Sequence, residues 1–164
     1  MTESELAQPE VFLQPGEIYL ANQPTIIATI LGSCIGVTFW CSRLGIGALC
    51  HAILPKCPRP IAGKVSLAMG YRYVDFCVWD IARQFDSFGA RRSEVEVKVF
   101  GGADVLAVNS ANARPTVGSQ NSQAAVRILA DEGFHVIASS TGDVFGRRIR
   151  FDTGSGEVRL VRLV

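Results

Sequence analysis

The chain has 164 residues, of which 48% are hydrophobic and 19% charged, with a formal net charge of +1. That apolarity over this length supports one domain with a core of its own and excludes a disordered chain. A charge balance so near neutral excludes an electrostatic grip on nucleic acid.

Residues 1–15 read as a flexible N-terminal arm ahead of a folded unit over 16–164. Met1–Glu10 is polar and carries Pro9, with neither the basic start nor the apolar centre of a secretory signal. No apolar run has the length of a membrane span. The expectation is a cytoplasmic protein without membrane insertion, its five cysteines reduced. Pro15-Gly16 marks a turn. Three strand-like runs follow: Thr25–Leu31, Cys34–Trp40 and Ile46–Leu54, the first two separated by Gly32-Ser33 and the last ended by Pro55. Lys56–Gly63 holds two prolines and a glycine and reads as a loop. Over Lys64–Phe88, Val74, Val78, Ile81 and Phe85 recur at helical spacing, and Gly89 suits a C-terminal cap.

Glu94–Phe100 alternates charged and apolar residues, the period of a half-buried strand, and ends at Gly101-Gly102. Ala103–Gly118 reads as a long loop, a candidate lip for a substrate cleft. A second helix is expected from a Ser119 cap to Glu132, then a strand over Phe134–Ala138. Arg147–Phe151 and Val158–Val164 suggest a hairpin around Asp152–Gly156. The order of strands, helix, strand, helix and strands is that of an α+β fold.

The chemistry concentrates at Leu31-Gly32-Ser33-Cys34. A thiol is the side chain with the highest nucleophilicity near neutral pH, and the Gly-Ser break leaves room for a carbonyl and for N–H groups facing an oxyanion. His51, one of two histidines, falls near the end of the third run. An antiparallel hairpin through Cys41–Gly45 would make Cys34 and His51 cross-strand neighbours, close enough for a thiolate–imidazolium pair. On the residues alone this stands level with a buried cysteine and a satisfied histidine at a sheet edge. His135, in an apolar run without acidic or thiol neighbours, reads as structural or surface. A zinc site from Cys34, Cys41, Cys50, Cys57 and His51 lacks a Cys-x-x-Cys knuckle. Arg147, Arg148 and Arg150 read as a sheet rim, with a docking patch for an acidic partner as the alternative.

Leu31–Cys34 followed by His51-Ala52-Ile53-Leu54-Pro55 resembles the chemoreceptor glutamine deamidases, the CheD family. The likeness continues through Gly89-Ala90, Val97–Ala103, Val117–Asn121 and Gly142–Arg148, in that order over most of Thr25–Leu163. It implies a mixed β-sheet sandwich with helices packed outside, and a protein-glutamine glutaminase that converts chosen receptor glutamines to glutamate and ammonia through a Cys thioester. It implies chemoreceptor cytoplasmic domains as protein substrate, a CheC-type phosphatase as a further partner, and no metal or organic cofactor. Cys34 becomes the nucleophile and His51 the base. Some relatives carry a threonine six residues before the cysteine as third group. Ala28 stands there, and either Thr29, one residue later, is the candidate in its place or a backbone carbonyl holds the imidazole. The alternative function is a non-catalytic module that binds the phosphatase or receptors.

Overall fold

The computed structural model describes residues 8–58, 65–105 and 115–164. Its centre is built from the most apolar runs. Strands β4 (Ile35–Cys41) and β5 (Ile46–Ala52) are buried almost throughout, as strands covered on both faces must be. They pair antiparallel as the hairpin expected from the sequence. Strand β2 (Glu17–Ala21) joins the free side of β5, strand β6 (Glu96–Gly101) joins β4, and β7 (Val136–Thr141) runs parallel to β6. The result is a five-stranded mixed sheet in the order β2-β5-β4-β6-β7.

A second mixed sheet has four strands: β1 (Glu10–Phe12), β3 (Ile26–Leu31), β8 (Gly146–Asp152) and β9 (Val158–Leu163), in the order β1-β3-β8-β9. In β8, Arg147, Ile149 and Phe151 are buried while Arg148 and Arg150 are exposed, the alternation of a sheet with one face on a core. The five-stranded sheet lies in the middle of the molecule. Helices α2 (Val74–Ser87) and α3 (Val117–Asp131) cover one face, where Val37, Phe39, Val78, Ile81, Phe85 and Leu129 pack together. The four-stranded sheet covers the other, over Ile27, Leu31, Leu49, Phe100, Ile149 and Phe151. Each such fully buried large side chain contributes about 1.5–3 kcal/mol. The α+β sandwich is therefore present, with its helices outside one sheet.

Several boundaries differ from the sequence reading. The single helix expected over Lys64–Phe88 is two, α1 (Leu67–Gly70) and α2, and Lys64 lies outside the described residues. Between them Tyr73 is extended, with φ −113° and ψ 133°. There the chain bonds sideways: Ile53 and Leu54 N–H donate to the Arg72 carbonyl at 2.8 and 2.9 Å, and Val74 N–H donates to the Leu54 carbonyl at 2.9 Å. This strand-like pairing displaces the helical bond. Helix α3 starts at Val117 with Thr116, not Ser119, as its cap. The Thr116 hydroxyl accepts from Ser119 N–H at 3.2 Å. Within the expected arm, residues 1–7 lie outside the described residues, but Glu10–Phe12 is a strand parallel to β3. Strand β2 was unread in the sequence. Most of the two expected loops, 59–64 and 106–114, lies outside the described residues, including the body of the candidate lip.

Candidate active site

Cys34 is the residue before β4, just past the Gly32-Ser33 break that ends β3, and it is half-buried against the core between the sheets. The end of β6 lies directly on this turn. Gly102 N–H donates to the Cys34 carbonyl at 2.8 Å and Ala103 N–H to the Gly32 carbonyl at 3.0 Å. Gly101 and Gly102 have φ of 104° and 63°, which favour glycine, and a Cβ on Gly101 would overlap the Cys34 carbonyl oxygen. The glycine pair is thus what allows this approach. Among the described residues, neither Ser33 nor Cys34 N–H donates to a backbone carbonyl.

His51 sits on β5 and is only 2% exposed. Its direct cross-strand partners are Gly36 on β4 and Glu17 on β2. Cys34 is two residues before Gly36, so it is the diagonal neighbour of His51 on the same face, not the opposite one. Diagonal positions are about 7–8 Å apart between backbones. Gly36 contributes no side chain between them. Burial of both groups works against the expected thiolate–imidazolium pair. Burial pushes the Cys34 thiol up and holds His51 down to about 4, with Glu17 opposing only the second shift. Both shifts favour a thiol and a neutral imidazole at neutral pH.

The imidazole is oriented by the other sheet. The Thr29 hydroxyl lies 2.7 Å from His51 Nδ1 and donates its own hydrogen to the Leu13 carbonyl at 2.9 Å. A carbonyl only accepts, so the hydroxyl proton is committed to Leu13. Thr29 Oγ1 must then accept from Nδ1–H. The neutral ring is fixed as the Nδ1–H tautomer, and its Nε2 lone pair is left for proton transfer. Thr29 is fully buried, on the inner face of β3 with Ile27 and Leu31. Ala28, the position the resemblance singles out, faces the other way by strand alternation, between Phe12 and Arg150 on the neighbouring strands.

One site residue escaped the sequence reading. Asn121, fully buried in α3, donates from Nδ2 to the carbonyls of Ser33 and Ile53, each at 2.9 Å. It appeared there only as part of a resembling stretch. The available signal was a polar side chain on the face of α3 that buries Gly118, Ala125 and Leu129. Arg147, expected with Arg148 and Arg150 at a sheet rim, lies instead on an inner strand. It is 1% exposed, and its guanidinium donates to Ser140 Oγ and the Gly142 carbonyl, both at 3.0 Å. Gly142 N–H in turn donates to the Gly101 carbonyl at 3.0 Å, so this buried cation braces the glycine turns beneath Cys34.

Beside those turns a cleft of about 320 Å³ opens between Gly102, Asp104, Thr116, Ser119, Thr141 and Asp143. His135 is exposed. Cys41, Cys50 and Cys77 are buried in the core under the helices, and Cys57 is buried elsewhere. Among the described residues, no helix is long and apolar enough to cross a membrane.

The chain matches the family model described as CheD chemotactic sensory transduction over residues 54–162. That span begins after His51. It is 39% identical to the probable chemoreceptor glutamine deamidase CheD 2 of Geobacter sulfurreducens over 163 residues, covering 99% of this chain and 96% of the relative. It is 35% identical to the probable chemoreceptor glutamine deamidase CheD of Maridesulfovibrio salexigens, covering 93% and 91%. The protein of the same name from Rhizobium meliloti is 33% identical, covering 95% and 81%.

Proposed function

This chain belongs to the CheD family, and from that premise we propose that it is a chemoreceptor glutamine deamidase with Cys34 as nucleophile, His51 as general base and Thr29 as the group that orients the imidazole. The observation that carries the reading is the relay from the Leu13 carbonyl through the Thr29 hydroxyl to Nδ1 of His51. A buried histidine used only for packing would have both ring nitrogens satisfied, whereas here Nδ1 is paired and Nε2 has no partner among the described residues.

The chemistry runs from a neutral pair. Cys34 Sγ attacks the substrate amide carbon as its proton passes to His51 Nε2, which makes the nucleophile only when substrate is present. Serine and cysteine N–H groups of the Ser33-Cys34 turn, without backbone partners among the described residues, stabilise the oxyanion. The C–N bond breaks as Nε2 returns its proton to the leaving nitrogen, giving ammonia and a Cys34 thioester. Water then attacks the thioester carbon and gives its proton to Nε2. The C–S bond breaks as Nε2 returns that proton to Cys34 Sγ, and the thiol is restored as glutamate leaves. The sum is amide plus water to carboxylic acid plus ammonia, with no cofactor required. The substrate is a glutamine on the cytoplasmic part of a chemoreceptor, so the enzyme acts in the cytoplasm. A CheC-type phosphatase is the further partner this family reading brings.

The test is ammonia release from a receptor cytoplasmic fragment, with the glutamine-to-glutamate mass gain located by peptide mapping. Wild type should show both, and Cys34→Ala and His51→Ala neither. A folded wild type that binds the fragment without modifying it would reject the enzyme and favour a binding module.

A further inference from the structure

Asn121 lies outside the chemical relay yet touches the backbone on both sides of it. Its two amide hydrogens reach the carbonyl of Ser33, the residue before the nucleophile, and the carbonyl of Ile53, two residues past the base. These carbonyls belong to different chain segments, and no other described side chain donates to both. The orientation of the amide is determined, because turning it over would press its oxygen against two carbonyl oxygens. In the orientation that remains, Oδ1 is buried and has no hydrogen-bond partner among the described residues. Leaving a buried acceptor unpaired is costly, and an apolar residue at this position on α3 would avoid the cost.

The surroundings keep the amide in place. A Cβ on Gly118 would overlap the carbonyl oxygens of Gly102 and Ala103, and one on Gly102 would overlap Ser122 Oγ. The first turns of α3 are therefore seated on the same glycine turn that bonds to the Cys34 carbonyl. Helix, glycine turn and nucleophile turn form one contact, and Asn121 extends it to the end of β5.

We infer that Asn121 is a positioning residue, a two-carbonyl clamp that sets the diagonal separation of Cys34 and His51. The inference rests on the assignment of those two as nucleophile and base. Without the clamp the Ser33-Cys34 turn loosens from α3, the thiol gains solvent and the imidazole no longer meets it. Reactivity toward small reagents and turnover then move in opposite directions while the fold stays intact, and an equally destabilised variant of the same helix separates this from a general loss of stability.

The experiment compares Asn121→Ala with Leu129→Ala, a cavity variant of the same helix two turns away that is fully buried outside the site. Both are assayed below their melting temperatures, for ammonia release from the receptor fragment and for iodoacetamide alkylation of Cys34 against pH. For Asn121→Ala, kcat should fall about tenfold or more with KM within about twofold. The alkylation midpoint should fall by about half a pH unit or more as the thiol is exposed. Leu129→Ala should leave kcat and midpoint at wild-type values. If Asn121→Ala does not fold, Asn121→Ser, smaller but still a donor, is measured in its place. Wild-type kcat and midpoint in the folded variant, or behaviour shared with Leu129→Ala, would overturn the clamp. A wild type that releases no ammonia would reject the deamidase reading, while the alkylation comparison would still decide the role of Asn121.

Discussion

The two faces of the five-stranded sheet are built on opposite rules. Toward the helices, β4 and β5 present Ile35, Val37, Phe39, Ala48, Cys50 and Ala52 to an apolar layer that includes Val78, Ile81 and Phe85. Toward the second sheet they present His51 and Thr38, both buried, with Gly36 directly opposite the histidine. The apolar cluster there is smaller, and Thr29 and Arg147 are buried close to it. Packing density on the helix side supplies stability, and that stability lets the other side keep polar groups dry. A dry imidazole stays neutral at pH 7, which is what a base needs. The same strands thus serve both purposes, one per face, because successive side chains alternate.

The sharpest way to break this comparison is to substitute two residues on the inter-sheet face and one on the helix face. Cys34→Ala removes a half-buried thiol from the inter-sheet face. Turnover of the receptor fragment should fall on the order of 10⁴-fold or more, with the urea midpoint close to wild type. His51→Ala should cost about 10²–10⁴-fold in kcat. On the helix face, Phe85→Ala should do the reverse. Phe85 is fully buried and packs against Phe39, their ring centroids 6.0 Å apart. Its loss should destabilise the fold by about 3–5 kcal/mol, read by denaturant unfolding, while kcat per folded molecule is unchanged. A Phe85→Ala protein that stays folded but has lost turnover would dissolve the division of labour between the faces.

Smaller effects sharpen it. Thr29→Val keeps the shape but removes the acceptor for Nδ1–H. It should lower kcat about tenfold to a hundredfold, and Thr29→Ser should restore most of it. The burial of His51 also predicts a pH signature. Its pKa in the folded state, about 4, lies below the value of about 6.5 in an unfolded chain. Between those values the unfolded state binds more protons, so this contribution is complete above the unfolded value and is lost as pH falls toward the folded one. The loss is on the order of 3 kcal/mol at most. Urea unfolding from pH 7 down to 4 should show that decline in wild type, and His51→Ala should flatten it. A decline of equal size in His51→Ala would mean that the inter-sheet face does not hold this imidazole neutral.

How much of this was legible in the sequence depends on the range of the interaction. The β4–β5 hairpin, which brings Cys34 and His51 onto one face, follows from two adjacent apolar runs and a short turn. Its register, which makes them diagonal, does not, because nothing local distinguishes Gly36 from Cys34 as the partner of His51. Strand β1 has three residues and exists only by parallel pairing to β3. Without it the Leu13 carbonyl, the last link of the relay, has no visible purpose. The break at Tyr73 is likewise imposed from outside, by Leu54 on another segment. Arg147 carries the same letter as its exposed neighbour Arg148, and strand alternation alone sends one inward. Asn121 was the most accessible of the missed residues, since a polar side chain on an apolar helical stripe calls for a partner.

The most direct test of the central claim, covalent catalysis at Cys34, is acid-quench mass spectrometry during turnover of the receptor fragment. The account predicts a hydroxylamine-sensitive thioester on the peptide containing Cys34, absent when glutamine is withheld and absent from Cys34→Ala. Ammonia release at the wild-type rate by Cys34→Ala, with no such adduct on wild type, would contradict it.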